Sequence, residues 1–245
     1  MNAIVIEGLF KSFGKVKAVD GLDLRIENGQ VFGLIGANGS GKTTTIKILC
    51  GLLKPDRGKV SILGRKAGDP SILSNIGYMP QETALYEDMT VHENLKLFAG
   101  IFGLKRSDFL RREKEVLDMV NLIDRVDFPL SDLSGGQKHR ISLAVSMIHS
   151  PDLLFLDEPT VGVDPPLRAG FWKTFRDLTS SGVTILMSTH YMDEAVNCDS
   201  IGMMRQGKIL VEGPPEDITL RVGADNLEDA FLKLTGNDNG REGSR

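Results

Sequence analysis

The segment that most constrains the fold is a glycine-rich loop, residues 36–43, which matches the pattern G-x-x-x-x-G-K-[ST]. It follows an apolar run over residues 31–35 that predicts a buried strand, and it precedes a helical pattern over residues 43–53. In that context glycines allow backbone N–H groups to turn toward phosphate oxygens, and the helix dipole adds to the attraction. The loop therefore predicts an α/β protein that binds phosphates. The alternative is a structural glycine turn without a ligand.

Two side chains of the loop indicate what it would contact. Lys42 would reach the β- and γ-phosphates of a nucleoside triphosphate, and the Thr43 hydroxyl would bind Mg²⁺. The loop residues expected to contact the nucleotide are Gly36, Asn38, Gly39, Ser40, Gly41, Lys42, Thr43 and Thr44.

An acidic pair follows a second apolar run. Residues 153–156 predict a buried strand that ends at Asp157, and Glu158 comes next. A carboxylate at the end of such a strand can hold Mg²⁺, and the neighbouring carboxylate can activate a water molecule. The alternative is an acidic pair in a solvated loop, which fits less well with the phosphate loop upstream.

A third segment, LSGGQ at residues 133–137, has the features of a second phosphate cradle. Ser134 is a typical helix N-cap, Gly135 and Gly136 leave backbone N–H groups accessible, and a helical pattern follows. Five specified residues in a row are improbable by chance. Together with the loop and the acidic pair, this segment makes the chain similar to ABC-type ATPases over residues 3–235.

The resemblance implies the fold class and the domain organisation. The implied fold is an α/β P-loop NTPase with a RecA-like core, an antiparallel β subdomain and an inserted α-helical subdomain. The expected boundaries are 1–81 and 151–222 for the nucleotide-binding core, 82–150 for the helical subdomain, 223–236 for a C-terminal helix and 237–245 for a polar tail. Within the first part, Asp20-Gly21 and Asn28-Gly29 predict turns between strands.

The resemblance also implies ATP and Mg²⁺ as cofactors and assigns roles to single residues. Glu158 would polarise the attacking water, and His190 would contact the γ-phosphate. The implied catalytic residues are Lys42, Gln81, Glu158 and His190. The implied metal ligands are Thr43, Gln81 and Asp157. The residues implied to contact the nucleotide or the body of a second subunit are Ser134, Gly135, Gly136, Gln137 and Asp164.

Phe13 lies where this family places an aromatic ring that stacks on adenine. Phenylalanine keeps the ring but lacks the hydroxyl of the usual tyrosine, and plain packing is the alternative role. The histidines at 92, 139 and 149 have no metal-ligand spacing and are interpreted as structural residues on helices.

The composition excludes several functional classes. The 29 Lys and Arg against 33 Asp and Glu give a net charge of −4, which offers no support for a nucleic-acid partner. No apolar run approaches the roughly 18 residues that cross a bilayer, and the N-terminus has no secretory pattern, so a cytosolic location is expected. The two cysteines are too few for a disulfide scaffold or a cysteine-rich zinc site.

The resemblance implies two kinds of partner. In this family each ATP lies between the loop of one subunit and the LSGGQ segment of another, so a head-to-tail homodimer is expected, with a paired homologous subunit as the exception. Residues 85–95, 162–165, 188–195 and 227–236 resemble the separately encoded cassettes of type-2 ABC exporters of the multidrug-resistance type. Integral-membrane permease subunits and a location on the cytoplasmic face of the membrane are therefore implied. For Leu95 and Phe98, core packing is favoured over permease contact.

Two other functions stay open from the sequence. One is a soluble ABC ATPase that serves a non-transport partner, for example of the iron–sulfur assembly type. The other is an ATP-regulated binding module with little turnover, against which the intact Glu158 and His190 argue.

Overall fold

The computed structural model describes residues 1–236 and divides into two compact units. The first unit comprises Met1–Asp69 and the chain from Leu186 onward, and the second comprises Pro70–Ile185. The division falls inside a strand. The polar tail predicted for residues 237–245 lies outside the described residues. The domain boundaries expected from the sequence stay a prediction.

Strands of the first unit form two groups. They are β1 (Asn2–Phe13), β2 (Val16–Glu27), β3 (Val31–Ile35), β4 (Arg57–Ile62), β5 (Arg65–Lys66), the end of β8 (Thr184–Thr189), β9 (Ser200–Arg205) and β10 (Lys208–Gly213). An antiparallel sheet has the order β2-β1-β4-β5, and burial alternates along β2 as expected for a sheet with one buried face. In the other group β3 runs parallel to β9, which pairs with β10 in an antiparallel hairpin. All five residues of β3 are buried, as in a strand covered on both faces.

The helices of the first unit are α1 (Lys42–Leu49), α6 (Met192–Ala195), α7 (Pro215–Val222) and α8 (Leu227–Gly236). Helix α1 ends four residues before the predicted end at Leu53, because Gly51 takes a left-handed conformation (φ 76°) that stops the helix. Helix α7 was not predicted from the sequence, since the prolines at its start resemble a loop.

The predicted turn at Asp20-Gly21 is wrong, because both residues lie inside β2. Gly21 has a left-handed φ of 75°, and the register between β1 and β2 shifts at Leu9 and Phe10 across the hairpin. The Phe10 ring packs where a side chain at position 21 would stand. The glycine therefore marks an irregularity within a continuous strand instead of a chain reversal.

The second unit combines a mostly helical part with two parallel strands. Its elements are β6 (Ile76–Met79), α2 (Val91–Ile101), α3 (Arg106–Met119), α4 (Gly135–Met147), β7 (Leu153–Asp157), α5 (Pro165–Ser180) and the start of β8. Strands β6 and β7 pair in parallel with Met79 opposite Leu156, and α2, α3 and α4 pack on one another. Helices α2 and α3 are separated at Gly103, which has a φ of 72°.

His149 fixes the end of α4 in the second unit. Its ring stacks flat on Phe102, with centroids 3.6 Å apart, and its Nε2–H donates to the Ile76 carbonyl over 2.9 Å. Its Nδ1 is buried and has no hydrogen-bond partner within residues 1–236. Burial lowers the pKa of His149, because a second proton would leave a buried, unpaired N–H. The structural interpretation of this histidine from the sequence is consistent with these contacts.

We expect acid to destabilise the protein partly through His149. The unfolded chain takes up a proton below its pKa of about 6.5, whereas the folded ring resists protonation, so stability falls as the pH drops below that value. The contribution is at most about 1.4 kcal/mol per pH unit. Urea unfolding at several pH values between 7.5 and 5.5 should show a shallower decline for His149→Gln than for the native chain. Identical slopes would contradict this assignment.

Candidate functional site

The glycine-rich loop connects β3 to α1 in the first unit, as predicted. Helix α1 has Gly41 as its N-cap, with a φ of 110° and no side-chain cap, and its first turn carries no acidic residue. The partial positive charge of its N-terminus is therefore not neutralised by its own side chains. This end of the helix is suited to an anion.

The Lys42 ammonium lies over the loop that precedes it. Its Nζ donates to the Gly36 carbonyl over 2.7 Å and to the Ala37 carbonyl over 3.3 Å, and the residue is only 5% exposed. The ammonium therefore adds a positive charge beside the N-terminus of α1, and the two together favour an anionic ligand in the loop.

Ser40 supplies a second polar group in the loop. Its Oγ is buried and has no hydrogen-bond partner among the described residues. Its backbone is fixed on both sides, since its N–H donates to the Ala37 carbonyl and its own carbonyl accepts from the Gly207 N–H. An unpaired buried hydroxyl is unfavourable, and a phosphate oxygen would satisfy it.

Two of the three loop glycines are required by packing of the backbone. A Cβ on Gly36 would stand 2.2 Å from the Met204 carbonyl oxygen, and a Cβ on Gly41 would stand 2.2 Å from that of Ala18. At Gly39, by contrast, a Cβ would meet nothing within 4 Å, although its φ is 79°. The motif therefore reflects close contacts of the loop with its own unit as well as room for a ligand.

Phe13 and His190 also belong to the first unit. Phe13 ends β1 with half of its surface exposed, and the Lys11 ammonium lies 5.5 Å from its ring centroid. His190 follows β8 and stacks on Tyr191, with centroids 4.1 Å apart. The backbone at His190 is held by Thr189, whose hydroxyl accepts from the Tyr191 N–H and donates to the Glu194 carboxylate. The sequence analysis had not singled out that buried glutamate.

The acidic pair lies at the carboxyl end of β7 in the second unit. Asp157 is fully buried as the last residue of the strand, and Glu158 is 6% exposed. Because β6 and β7 are parallel, Gln81 follows its strand at the same edge. Its side-chain amide donates to Glu158 Oε2 over 3.1 Å. The structure thus brings Gln81 and Glu158 together.

One contact at Glu158 was missed by the sequence analysis. His139, on α4, lies with Nε2 3.1 Å from the Glu158 carbonyl oxygen. Because a carbonyl oxygen can only accept, the Nε2–H of His139 is the donor, and burial lowers the pKa of the ring. His139 begins an unbroken run of buried residues on α4, where a polar ring needs a partner, but neither the burial nor the carbonyl partner can be read from the sequence.

The LSGGQ segment opens α4, and its predicted cap is present. The Ser134 hydroxyl accepts from the Gln137 N–H, and the Gln137 side chain accepts from the Ser134 N–H, which forms a capping box. A Cβ on Gly136 would come within 3.0 Å of the Gly162 carbonyl oxygen, whereas Gly135 is open. Asp164 is the N-cap residue of α5, and its side chain makes no capping bond.

The predicted site residues thus form two groups, each within its own unit. The first unit holds the loop, Phe13 and His190; the second holds Gln81, Asp157, Glu158, the LSGGQ segment and Asp164. Within residues 1–236 no three His, Cys, Asp or Glu side chains cluster as a metal site. The oxygen donors of Thr43 and Asp157 are of the type that Mg²⁺ prefers when phosphates and waters complete its shell. Their assignment as ligands stays a prediction.

No helix in the described part of the chain has the length and apolar character needed to cross a membrane.

Comparisons with known proteins agree on one family. Residues 19–161 match the family described as "ABC transporter". The linearmycin resistance ATP-binding protein LnrL of Bacillus subtilis (strain 168) is 38% identical over 224 residues, covering 90% of this chain and 72% of LnrL. ABC transporter G family member 20 of Dictyostelium discoideum is 41% identical over 239 residues, or 97% of this chain. The chain spans only 33% of that relative's length.

A solved structure supports the fold. The protein described as "Structure of ATP binding subunit of ABC transporter" superposes with a TM-score of 0.87 and 28% identity, covering 95% of this chain and 99% of that one. The α/β P-loop NTPase class expected from the sequence is therefore confirmed.

We expect the loop glycines to differ in their tolerance of a side chain. Alanine at position 39 adds only the strain of a left-handed residue, about 1–2 kcal/mol. Gly41→Ala adds the same strain and also forces apart two backbone segments, since its Cβ would meet the Ala18 carbonyl. Gly41→Ala should therefore lower the free energy of unfolding by roughly 1–3 kcal/mol more than Gly39→Ala. Urea unfolding without nucleotide checks this, and equal losses would contradict the packing role.

Proposed function

The chain belongs to the ABC transporter family, and on this premise we propose that it is the ATP-hydrolysing subunit of a transporter that exports a substrate through separate permease subunits. The observation that carries the proposal is the Gln81–Glu158 hydrogen bond at the end of β7. A carboxylate held there serves hydrolysis, which a binding module without turnover would not require. The relative LnrL is named for linearmycin resistance, and this favours transport over the soluble, iron–sulfur assembly alternative.

In this proposal the glycine-rich loop of the first unit binds ATP. Backbone N–H groups of the loop and the N-terminus of α1 would bind the phosphates, with Ser40 Oγ as a further donor. Lys42 would move from its loop carbonyls toward the β- and γ-phosphates. The half-exposed Phe13 ring would stack on adenine.

Mg²⁺, when bound, neutralises charge that develops on the phosphate oxygens. Thr43 and Asp157 would hold it, with Gln81 as the further ligand that the resemblance implies. These three assignments rest on oxygen-donor chemistry and on the family resemblance.

Hydrolysis would depend on Glu158. Its carboxylate would accept a proton from the attacking water as the water oxygen bonds to the γ-phosphorus and the bond from that phosphorus to ADP breaks. Gln81 orients this carboxylate through its amide. His190 would donate a hydrogen bond to the transferring phosphoryl group.

A second copy of the chain would complete each nucleotide site. Ser134, Gly135, Gly136 and Gln137 open a helix whose first turn has no acidic residue, so they can present donors to an ATP held by the other subunit. Asp164 would meet that subunit. We propose a head-to-tail homodimer, with 1–81 and 151–222 as its nucleotide-binding core, 82–150 as its helical subdomain and 223–236 as a C-terminal helix.

The second partner would be an integral-membrane permease, with this chain on the cytoplasmic face of the membrane. Residues 85–95 would line the surface that receives the permease. Within this segment Leu95 is fully buried, which agrees with its interpretation as core, whereas Tyr86 is 55% exposed. Asn94 fixes the backbone of Tyr86 through hydrogen bonds to both its N–H and its carbonyl.

Glu158→Gln tests the catalytic assignment. The amide cannot accept the proton, so we expect kcat for ATP hydrolysis to fall about a hundredfold or more while ATP still binds. Glu212→Gln, an exposed position on β10, is the matched control and should retain turnover. Sedimentation equilibrium of Glu158→Gln with ATP should show a dimer. Full turnover in this variant would refute the role of Glu158, and a monomer at high protein concentration would refute the dimer.

Tyr86→Asp tests the membrane partner. The tagged native chain, purified from detergent-solubilised membranes of its own cell, should bring with it a protein that has membrane-spanning segments. An aspartate at the exposed Tyr86 position should reduce that recovery, because a charge would be buried against the permease, but should leave basal ATP hydrolysis in place. Recovery of soluble partners alone would contradict the transport proposal.

A further inference from the structure

Glu158 has a backbone conformation that requires support. Its φ is 55°, in the left-handed region, where a residue with a side chain is strained by about 1–2 kcal/mol. Such strain at a residue that follows a strand persists only when the surroundings fix it. The Glu158 carbonyl accepts from two donors, the Val161 N–H at 3.3 Å and His139 Nε2 at 3.1 Å. The first closes the local turn, and the second comes from a different element, α4.

His139 lies on a rigid part of the fold and can therefore hold the Glu158 carbonyl in one position. It is 8% exposed and lies within the first two turns of α4, a helix that begins with the Ser134 capping box and is buried on all sides from residue 139 to 147. Burial lowers the pKa of His139, which favours the neutral ring and so avoids a positive charge beside the Glu158 carboxylate. A cationic anchor at this position would stabilise the carboxylate and weaken it as a base.

The two ends of Glu158 are therefore held by different groups. Gln81 holds the carboxylate, and His139 holds the carbonyl. A change in backbone direction at a left-handed residue swings its side chain, so loss of the carbonyl contact would misdirect the carboxylate even with Gln81 in place. Misplacement of a catalytic group by about 1 Å can cost a hundredfold in rate.

We propose that His139 is a positioning residue for ATP hydrolysis, which acts by holding the Glu158 carbonyl so that the carboxylate faces the attacking water. The inference rests on the proposed function, because it needs Glu158 to be the base. It assigns to the LSGGQ helix a role within its own subunit, besides the one toward the partner's nucleotide.

The test compares His139→Gln with His139→Met in the purified full chain. The glutamine amide can still donate to the Glu158 carbonyl, whereas methionine fills similar volume without a donor. We expect His139→Met to lower kcat about tenfold or more, with KM for ATP within about twofold of the native value. His139→Gln should recover kcat to within about threefold of the native value.

Ser146→Ala on the same helix is the matched control. Ser146 is buried and its hydroxyl donates to the Leu143 carbonyl within its own helix, so its loss should affect stability and leave kcat unchanged. If His139→Met does not fold, His139→Asn takes its place, since its amide is one methylene too short to reach the carbonyl. The same loss of kcat relative to His139→Gln is then expected.

The outcomes separate this inference from the proposed function. Equal kcat in the native chain and in His139→Met, while Glu158→Gln is inactive, overturns the positioning role and leaves the ATPase intact. Equal losses in the Gln and Met variants also overturn it, because the donor would then be irrelevant. No ATP hydrolysis by the native chain would overturn the proposed function and the positioning role with it.

Discussion

The buried ammonium of Lys42 is the constraint around which the glycine-rich loop is arranged. A cation that is 5% exposed needs compensation, and the carbonyls of Gly36 and Ala37 are among the groups that supply it. Those carbonyls can converge on Nζ because the loop backbone packs closely at two glycines against neighbouring carbonyls of its own unit. The loop therefore brings together a positive charge, a helix N-terminus and a buried hydroxyl that has no hydrogen-bond partner among the described residues. A loop packed in this way would lose little conformational freedom on binding an anion.

The second unit also contains a nearly buried charged residue, in this case the acidic Glu158. Glu158 is nearly buried, strained in its backbone and bonded at both its carboxylate and its carbonyl. The parallel pairing of β6 with β7 places Gln81 beside it, so the fold itself provides one of the two supports. The other comes from α4, which the capping box at Ser134 starts at a defined residue. The strain at Glu158 is thus offset by two contacts. The pairing of β6 with β7 positions one of them, and helix α4 positions the other.

The sequence predicted the parts of this arrangement that depend on local pattern. Strand β3, the loop and the start of α1 follow from an apolar run and a glycine motif. Parts that depend on distant contacts were not predictable. Gly21 was interpreted as a turn because nothing local shows that β1 continues opposite it and that Phe10 fills the space beside it.

The same limit applies to the site. The residue types at 42, 157 and 158 indicate phosphate and metal chemistry, and Ser134 was recognised as a cap from its type and position. His139 was interpreted as a structural histidine, because its partner is a backbone carbonyl 19 residues away, and a carbonyl leaves no trace in the sequence. A bond between a side chain and a backbone group close in sequence, as at Ser134, can be inferred from residue type and position, whereas a bond to a distant carbonyl needs the fold.

The distribution of acidic residues gives a physical reason why the motif-bearing helices differ from the others. Acidic residues occupy the first turns of α2, α3, α6, α7 and α8, where they neutralise the helix dipole. The first turns of α1, α4 and α5 contain none, and these are the helices that follow the phosphate loop, the LSGGQ segment and Asp164. A carboxylate in the first turn of α1 or α4 would repel the phosphates that those segments are proposed to bind. Helix stability and anion binding therefore compete for the same backbone N–H groups, and the first turns of α1 and α4 carry no acidic side chain that would oppose an anion there.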